Sequence, residues 1–225
     1  MTRLRGVLFD VDGTLVDSTY FHTLAWWYGF RRLGHDVRMN EIHRLVGMGG
    51  QKIVERLLGP GRDSSQDTQI LDTHGAVFST FWPHLRPFDG ARGLLERCKA
   101  QELTVVLASS ARQQDLEVLR SVIGADGLID AATSSADAEE SKPAPDILIA
   151  ALEAGGLEAS EVLFVGDAVW DVQAAAALDI PTVGLASGGY SEAELRDAGA
   201  VEVFPAPREL LEGFKESVIG RRLSD

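Results

Sequence analysis

The stretch Leu4-Arg5-Gly6-Val7-Leu8-Phe9-Asp10-Val11-Asp12-Gly13-Thr14 decides the fold. A short apolar run that breaks into Asp-x-Asp-Gly reads as a buried strand ending in a turn, with Gly13 permitting the sharp bend. Residues two apart in extended chain point the same way, so Asp10 and Asp12 can share one side of the strand end. Carboxylates that close repel, and they stay ionised together only where a cation offsets them. Oxygen ligands favour Mg²⁺, which also bridges phosphate oxygens. Taken alone, the same pair also reads as a solvated loop with helix-capping aspartates.

Outward from this point the pattern repeats. Apolar runs recur at 103–108, 162–165, 182–185 and 201–204, and helical periodicity falls at 91–100, 112–122, 144–154, 168–178, 191–198 and 207–217. Strands alternating with helices imply right-handed crossovers and an α/β fold, a doubly wound parallel sheet with helices on both faces. Residues 17–87 break the rhythm. They show helical patterns near 18–33, 40–46, 50–58 and 66–82 and no convincing strand. A crossover of some 70 residues is long, so this stretch is expected to be a small inserted α-helical cap, with 1–16 and 88–225 forming the core.

Composition narrows the partners. The 21 Lys and Arg against 34 Asp and Glu of the 225 residues leave a formal charge of −13. Such a surface repels nucleic-acid phosphates and anionic lipid heads, so no nucleic-acid or membrane partner is expected. An anionic substrate would need a local reversal of the field by a metal, a buried lysine or helix N-termini. The single cysteine, Cys98, excludes an intrachain disulfide and suits a reducing compartment. The basic Met1-Thr2-Arg3-Leu4-Arg5 is followed by too short an apolar run for a signal h-region. No run reaches about 18 apolar residues. A cytoplasmic protein, monomer or homodimer, is the expectation.

The other strand ends carry further chemistry. Ser109-Ser110 precede the 112–122 helix, where hydroxyls and helix N–H groups can cradle an anion or simply cap the helix. Lys142 lies in Ser141-Lys142-Pro143-Ala144-Pro145, before a proline-started helix. It is either solvent-facing or the cation that balances an acidic cluster. Asp167 and Asp171, in Gly166-Asp167-Ala168-Val169-Trp170-Asp171, either face that cluster or cap a helix. All four features fall at carboxyl ends of parallel strands or at helix N-termini, where open α/β sheets bind ligands.

These motifs, in this order, resemble the haloacid dehalogenase-like hydrolase superfamily. The matching residues are Asp10-Val-Asp-Gly-Thr14 with Leu15-Val-Asp-Ser18, Leu107-Ala-Ser109, Lys142-Pro-Ala-Pro145 and Gly166-Asp-x-x-x-Asp171. The resemblance implies a Rossmann-like core and, from the helical insert, the subfamily containing phosphoglycolate phosphatases and β-phosphoglucomutases. It implies Asp10 as the nucleophile that becomes an aspartyl phosphate and Asp12 as general acid/base. Ser109 and Lys142 would hold the phosphoryl group. Mg²⁺ would be bound by Asp10, the carbonyl of Asp12 and Asp167, with Asp171 a weaker or indirect ligand. An acid working near neutral pH needs a raised pKa, and a neighbouring carboxylate would supply that push to Asp12. Family members that are dehalogenases lack the second Asp of the first motif, and phosphonate hydrolases carry a small residue there. Asp12 therefore points to phosphoryl transfer.

In the cap, His22 and Trp26 are spaced i, i+4 and share a helix face. His22 either faces the active site or is a satisfied core histidine, and Trp26 and Trp27 read as helix packing. The loop Val46-Gly-Met-Gly-Gly-Gln-Lys52 falls where related caps present a specificity loop, so Gly49, Gly50 and Lys52, together with Ser110 of the core, are the candidate substrate contacts. The mutases carry an arginine in that loop for a second phosphate; Gly49, Gly50 and Gln51 stand here instead. Expected, then, is a Mg²⁺-dependent phosphatase acting on a small phosphorylated metabolite of phosphoglycolate or sugar-phosphate type. The alternatives are a β-phosphoglucomutase-like mutase and a non-catalytic phosphometabolite-binding protein.

Overall fold

The computed structural model describes residues 3–224. Strand β1 (Gly6–Phe9) runs through the Asp10–Ser18 loop into helices α1 (Thr19–Arg32), α2 (Met39–His43), α3 (Gly50–Leu58) and α4 (Asp67–Phe81). The chain returns through α5 (Ala91–Lys99) to β2 (Thr104–Ala108), α6 (Gln113–Ile123), β3 (Ala131–Thr133) and α7 (Asp146–Gly155). It continues with β4 (Val162–Gly166), α8 (Val169–Ala176), β5 (Thr182–Leu185), α9 (Glu192–Ala198), β6 (Glu202–Phe204), α10 (Pro207–Glu212) and α11 (Val218–Ser224). Among the described residues no helix is long and apolar enough to cross a membrane.

Among those residues the strands form one sheet in the order β3-β2-β1-β4-β5-β6, every neighbour parallel. The doubly wound expectation is met, and the side-chain alternation of the strands explains it. Val7, Phe9, Val105, Leu107, Leu163 and Val165 face α5, α6, α10 and α11, meeting Leu94, Leu116, Leu210 and Ile219. Leu8, Val106, Ala108, Val162 and Phe164 face the other way and meet Ile147, Leu148 and Ala151 of α7 and Ala174 and Ala175 of α8. With both faces covered, the strands are apolar throughout, as the sequence shows.

Strand order reverses direction beside β1, which lies between β2 and β4. Phe9 is level with Leu107 on one side and Val165 on the other. That register aligns the carboxyl ends of the three strands, so Asp10, Ser109 and Asp167 emerge side by side at the switch point.

Helices α1 to α4 pack around Trp26, Phe30, Ile42, Met48, Ile53, Val54 and Ile70. Gly29 lets α1 approach α4 closely, because a Cβ there would lie 3.1 Å from the Ile70 carbonyl oxygen. The segments that leave and re-enter the sheet pair with each other: Val16 bridges Pro87, Phe88 N–H donates to Leu15 O at 2.9 Å and Asp17 N–H to Arg86 O at 3.0 Å. The helical layer thus hangs over the sheet's carboxyl edge from one double connection.

Two elements depart from the sequence reading. Strand β3 is an edge strand of Ala131-Ala132-Thr133, which has no apolar run to announce it. The expected 207–217 helix stops at Glu212, where Gly213 follows, and the chain starts a separate helix at Val218.

Phe164 is fully buried on the α7/α8 side of β4. Phe164→Ala should lower stability by about 3–5 kcal/mol, the range for a large aromatic truncated in a packed core. Equilibrium urea unfolding, read as a shift in midpoint at unchanged slope, checks this.

Candidate active site

The site is built on a buried lysine. Lys142 has no exposed surface, and its ammonium meets Asp10 Oδ1 at 2.5 Å, Asp171 Oδ1 at 2.8 Å and the Ala108 carbonyl oxygen at 3.1 Å. The ammonium donates to Asp10 and to the Ala108 carbonyl, and its contact with Asp171 Oδ1 is an ion pair. Burial works against its charge, but Asp10 and Asp171 outweigh that and hold its pKa above the ordinary lysine value. The ammonium lies over the Phe164 ring, 5.3 Å from its centre.

The carboxylates outnumber that cation. Asp10, Asp167 and Asp171 are all buried, and each offers an oxygen within 4.8 Å of the others. Thr14 Oγ1 lies between Asp167 Oδ1, at 2.9 Å, and Asp10 Oδ2, at 3.2 Å. Burial, only partly offset by Lys142, and repulsion from Asp171 push the Asp10 carboxyl up to about 7. Burial, with the charges of Asp10 and Asp171, carries Asp167 well above the usual carboxylate range. Asp171 does double duty, since its Oδ2 also accepts from Ala168 N–H at 3.0 Å and so fastens the start of α8. Both readings the sequence allowed for it are present at once.

The donors suit a small hard cation. Asp167 Oδ2 lies in a slot between two glycines: a Cβ on Gly13 would come within 2.5 Å of it, and one on Gly188 within 1.6 Å. Beside the same slot sits Thr19 Oγ1, buried and without a hydrogen-bond partner. An all-oxygen set with surplus negative charge fits Mg²⁺.

Asp12 points elsewhere. Its Oδ1 accepts from Ser18 Oγ at 2.5 Å and pairs with His22 Nε2 at 3.0 Å. His22 Nδ1 in turn lies 3.1 Å from His74 Nε2 on α4. Burial acts to raise the Asp12 pKa, but the His22 imidazole and the Ser18 hydroxyl outweigh it and hold the carboxyl below its ordinary value. This corrects the expectation of a raised Asp12: the imidazole beside it matters more than the neighbouring carboxylate.

The remaining candidates are distributed as follows. Ser109 is buried and accepts from Ala111 N–H at 3.0 Å; it does not cap α6, whose first turn is preceded by Arg112. Ser110 Oγ is buried without a partner and borders the cavity. That cavity, of about 610 Å³, extends from Asp10 and Asp12 to the cap loop and includes His22, Trp26, Gly49, Gly50 and Lys52 in its lining. Gly49 lies hard against Ser141, and Gly50 against Trp26 and Leu71. Lys52 is engaged by the Ser141 carbonyl at 2.5 Å and Glu140 at 2.7 Å, which ties the cap loop to the core beside Lys142.

Sequence reasoning missed His74 and Arg112. His74 is buried, stacks on Trp26 at 3.9 Å between ring centres, and is held well below the usual histidine pKa by burial, His22 and Arg112. Arg112, held by the buried carboxylate of Asp115 at 2.7 and 3.0 Å, reaches across the cavity to Gly75 of α4, where a side chain would displace it. The three-residue spacing of Arg112 and Asp115 was visible; that the cap would come to meet them was not.

A doubly wound sheet with a helical cap over a lysine–carboxylate cluster at the switch point is the architecture of a capped α/β hydrolase. Residues 4–179 match the family described as haloacid dehalogenase-like hydrolase, and the chain belongs to that family. It is 31% identical to the phosphoglycolate phosphatase of Rhodospirillum rubrum over 89% of this chain and 86% of that protein. It is also 31% identical to the chloroplastic Protein SUPPRESSOR OF QUENCHING 1 of Arabidopsis thaliana over 88% of this chain, which spans only 19% of that protein's length. A hydrolase from Pseudomonas syringae superposes with a TM-score of 0.90 at 30% identity, covering 94% of this chain and 98% of that one.

The raised carboxyls make a signed prediction. A carboxyl with a raised folded-state pKa favours the protonated fold, so its contribution is full at low pH and is lost as pH rises through the folded value. In the presence of a chelator, Asp167→Asn should therefore become more stable relative to wild type as pH goes from 5 to 7.5. Thermal melts of both proteins across that range check it. The depressed His74 titrates in both and cancels in the difference. A difference that stays constant with pH would rule out the strained carboxylate cluster.

Proposed function

We propose that this hydrolase is a Mg²⁺-dependent phosphatase that cleaves a small phosphomonoester in two steps through a phosphorylated Asp10. The observation that carries this reading is the Lys142 ammonium held between Asp10 and Asp171, with Asp10 itself lining a cavity of metabolite size. A carboxylate attacks a dianionic phosphate only if the repulsion between them is cancelled. Lys142 supplies one fixed positive charge. Asp10, Asp167 and the carbonyl of Asp12 would hold the Mg²⁺, which neutralises charge on the transferring oxygens when bound, with Asp171 kept indirect by its bonds to Lys142 and Ala168.

In the first step an Asp10 oxygen forms a bond to phosphorus while the ester oxygen departs with a proton from Asp12. In the second, Asp12 takes a proton from water as that oxygen bonds to phosphorus, and the Asp10–phosphorus bond breaks to release phosphate. Paired with His22, Asp12 stands ready in its basic form, and a dianionic phosphoryl group beside it would raise its pKa toward the acid role. Ser109 and Ser110 would receive the phosphoryl oxygens, Ser110 with a hydroxyl that is otherwise unsatisfied. Gly49, Gly50, Lys52 and His22 would shape the substrate end of the cavity, with Arg112 adding a cation there. The name phosphoglycolate phosphatase carried by relatives supports a substrate of phosphoglycolate or sugar-phosphate type.

Released phosphate, measured over a panel of phosphoglycolate and sugar phosphates, tests the reading. Isomerised sugar phosphate without phosphate release would instead indicate a mutase, and binding without turnover a metabolite-binding protein. Asp10→Asn should abolish turnover, and Asp12→Asn should lower kcat by about 10²–10⁴-fold, the usual worth of acid/base help. EDTA should silence the enzyme; Mg²⁺ should restore it and Ca²⁺ should do so poorly, its coordination being larger and looser.

A further inference from the structure

The loop after β5, Ala186-Ser187-Gly188-Gly189, plays no part in the chemistry above, yet it touches the acidic cluster and the cap at once. Gly188 is buried, and a Cβ there would fall 1.6 Å from Asp167 Oδ2, so the bare glycine Cα is the wall against which that carboxylate rests. Ser187 Oγ donates to Gly13 O at 2.7 Å, which draws the opposite wall of the same slot toward the loop. The carbonyl of Gly188 is 3.1 Å from His43 Nε2, at the end of α2 in the cap. The His43 ring stacks on Tyr20 of α1 at 4.9 Å, and both press on Gly189, where a side chain would meet the ring and the Tyr20 hydroxyl. Gly189 has a φ of +103°, a conformation that disfavours any other residue.

We propose that His43 and Gly188 are positioning residues for the Asp167 carboxylate. His43 holds the Gly188 carbonyl from the cap, the glycine fixes Asp167 Oδ2, and the seated cap thereby preorganises the divalent-cation ligand. The inference rests on the reading of Asp167 as a ligand. Groups that fix a metal-ligating side chain from behind are typically worth about 10–100-fold in metal affinity. Coupling between sites is reciprocal, so a bound cation favours the seated cap as much as the cap favours the cation.

Isothermal titration with Mg²⁺ alone, without substrate, tests this on wild type, His43→Ala, His43→Gln, Gly188→Ala and Asp167→Asn. His43→Ala should weaken Mg²⁺ about 10-fold with an unchanged melting temperature in chelator. His43→Gln, whose amide N–H can reach the same carbonyl, should recover most of that loss. Gly188→Ala should lose more than His43→Ala; if it does not fold, the histidine pair decides. Wild-type affinity in His43→Ala, or a glutamine variant no better than alanine, overturns the proposal while leaving the function untouched, provided Asp167→Asn has lost the ion. An Asp167→Asn protein that binds Mg²⁺ like wild type removes Asp167 as a ligand and the inference with it.

Discussion

Everything in this protein is arranged around an unbalanced charge buried at the end of a sheet. Three aspartates and one lysine meet in space that water barely reaches. Charges in such surroundings are costly unless paired with good geometry. Lys142 has that geometry, but it is a single cation facing three carboxyls, and the raised pKa values of Asp10 and Asp167 are the visible result. A site in this condition takes up positive charge readily. The same deficit is what the proposed cation would relieve, and a phosphoryl group would be accommodated there only with such a charge in place.

The fold supplies the precision. Parallel register levels the ends of β1, β2 and β4, and the Phe164 ring of β4 lies under the lysine ammonium. The two glycines that flank Asp167 leave no room for a side chain, so this carboxylate is located by backbone instead of by hydrogen bonds alone. Above it the cap closes the cavity through several separate contacts: Lys52 to Ser141 and Glu140, His43 to Gly188, and the Trp170 indole and Tyr190 hydroxyl to the Arg44 carbonyl. Each of those contacts crosses from cap to core, and Trp170 is the immediate neighbour of Asp171.

The cap also sets the state of Asp12. His22 from α1 holds that carboxylate, and His74 from α4 backs the histidine in a stack with Trp26 and Phe78. A residue placed by a core strand thus has its proton affinity adjusted by a histidine from the first helix of the insert. Burial alone would raise the Asp12 pKa; His22, with Ser18 and Lys142, reverses that direction.

Much of this was legible along the chain. Alternation of apolar runs with helical periodicity specified the parallel sheet, because burial on both faces requires strands that are apolar throughout. The Asp10, Ser109, Lys142 and Asp167 positions announced themselves because each follows a strand or opens a helix, and that is a one-dimensional property. Strand β3 escaped, since three small residues at a sheet edge carry no hydrophobic signal. His74 and Arg112 escaped for a different reason: a histidine on a helix and an arginine near a helix start look ordinary until the elements they face are known. The residues determined which chemistry was available and which strand ends would carry it. Only packing decided that Asp12 would meet a histidine, that Arg112 would reach α4 and that Gly188 would lie against Asp167, because those contacts depend on distances between segments far apart in the chain, and local sequence does not encode them.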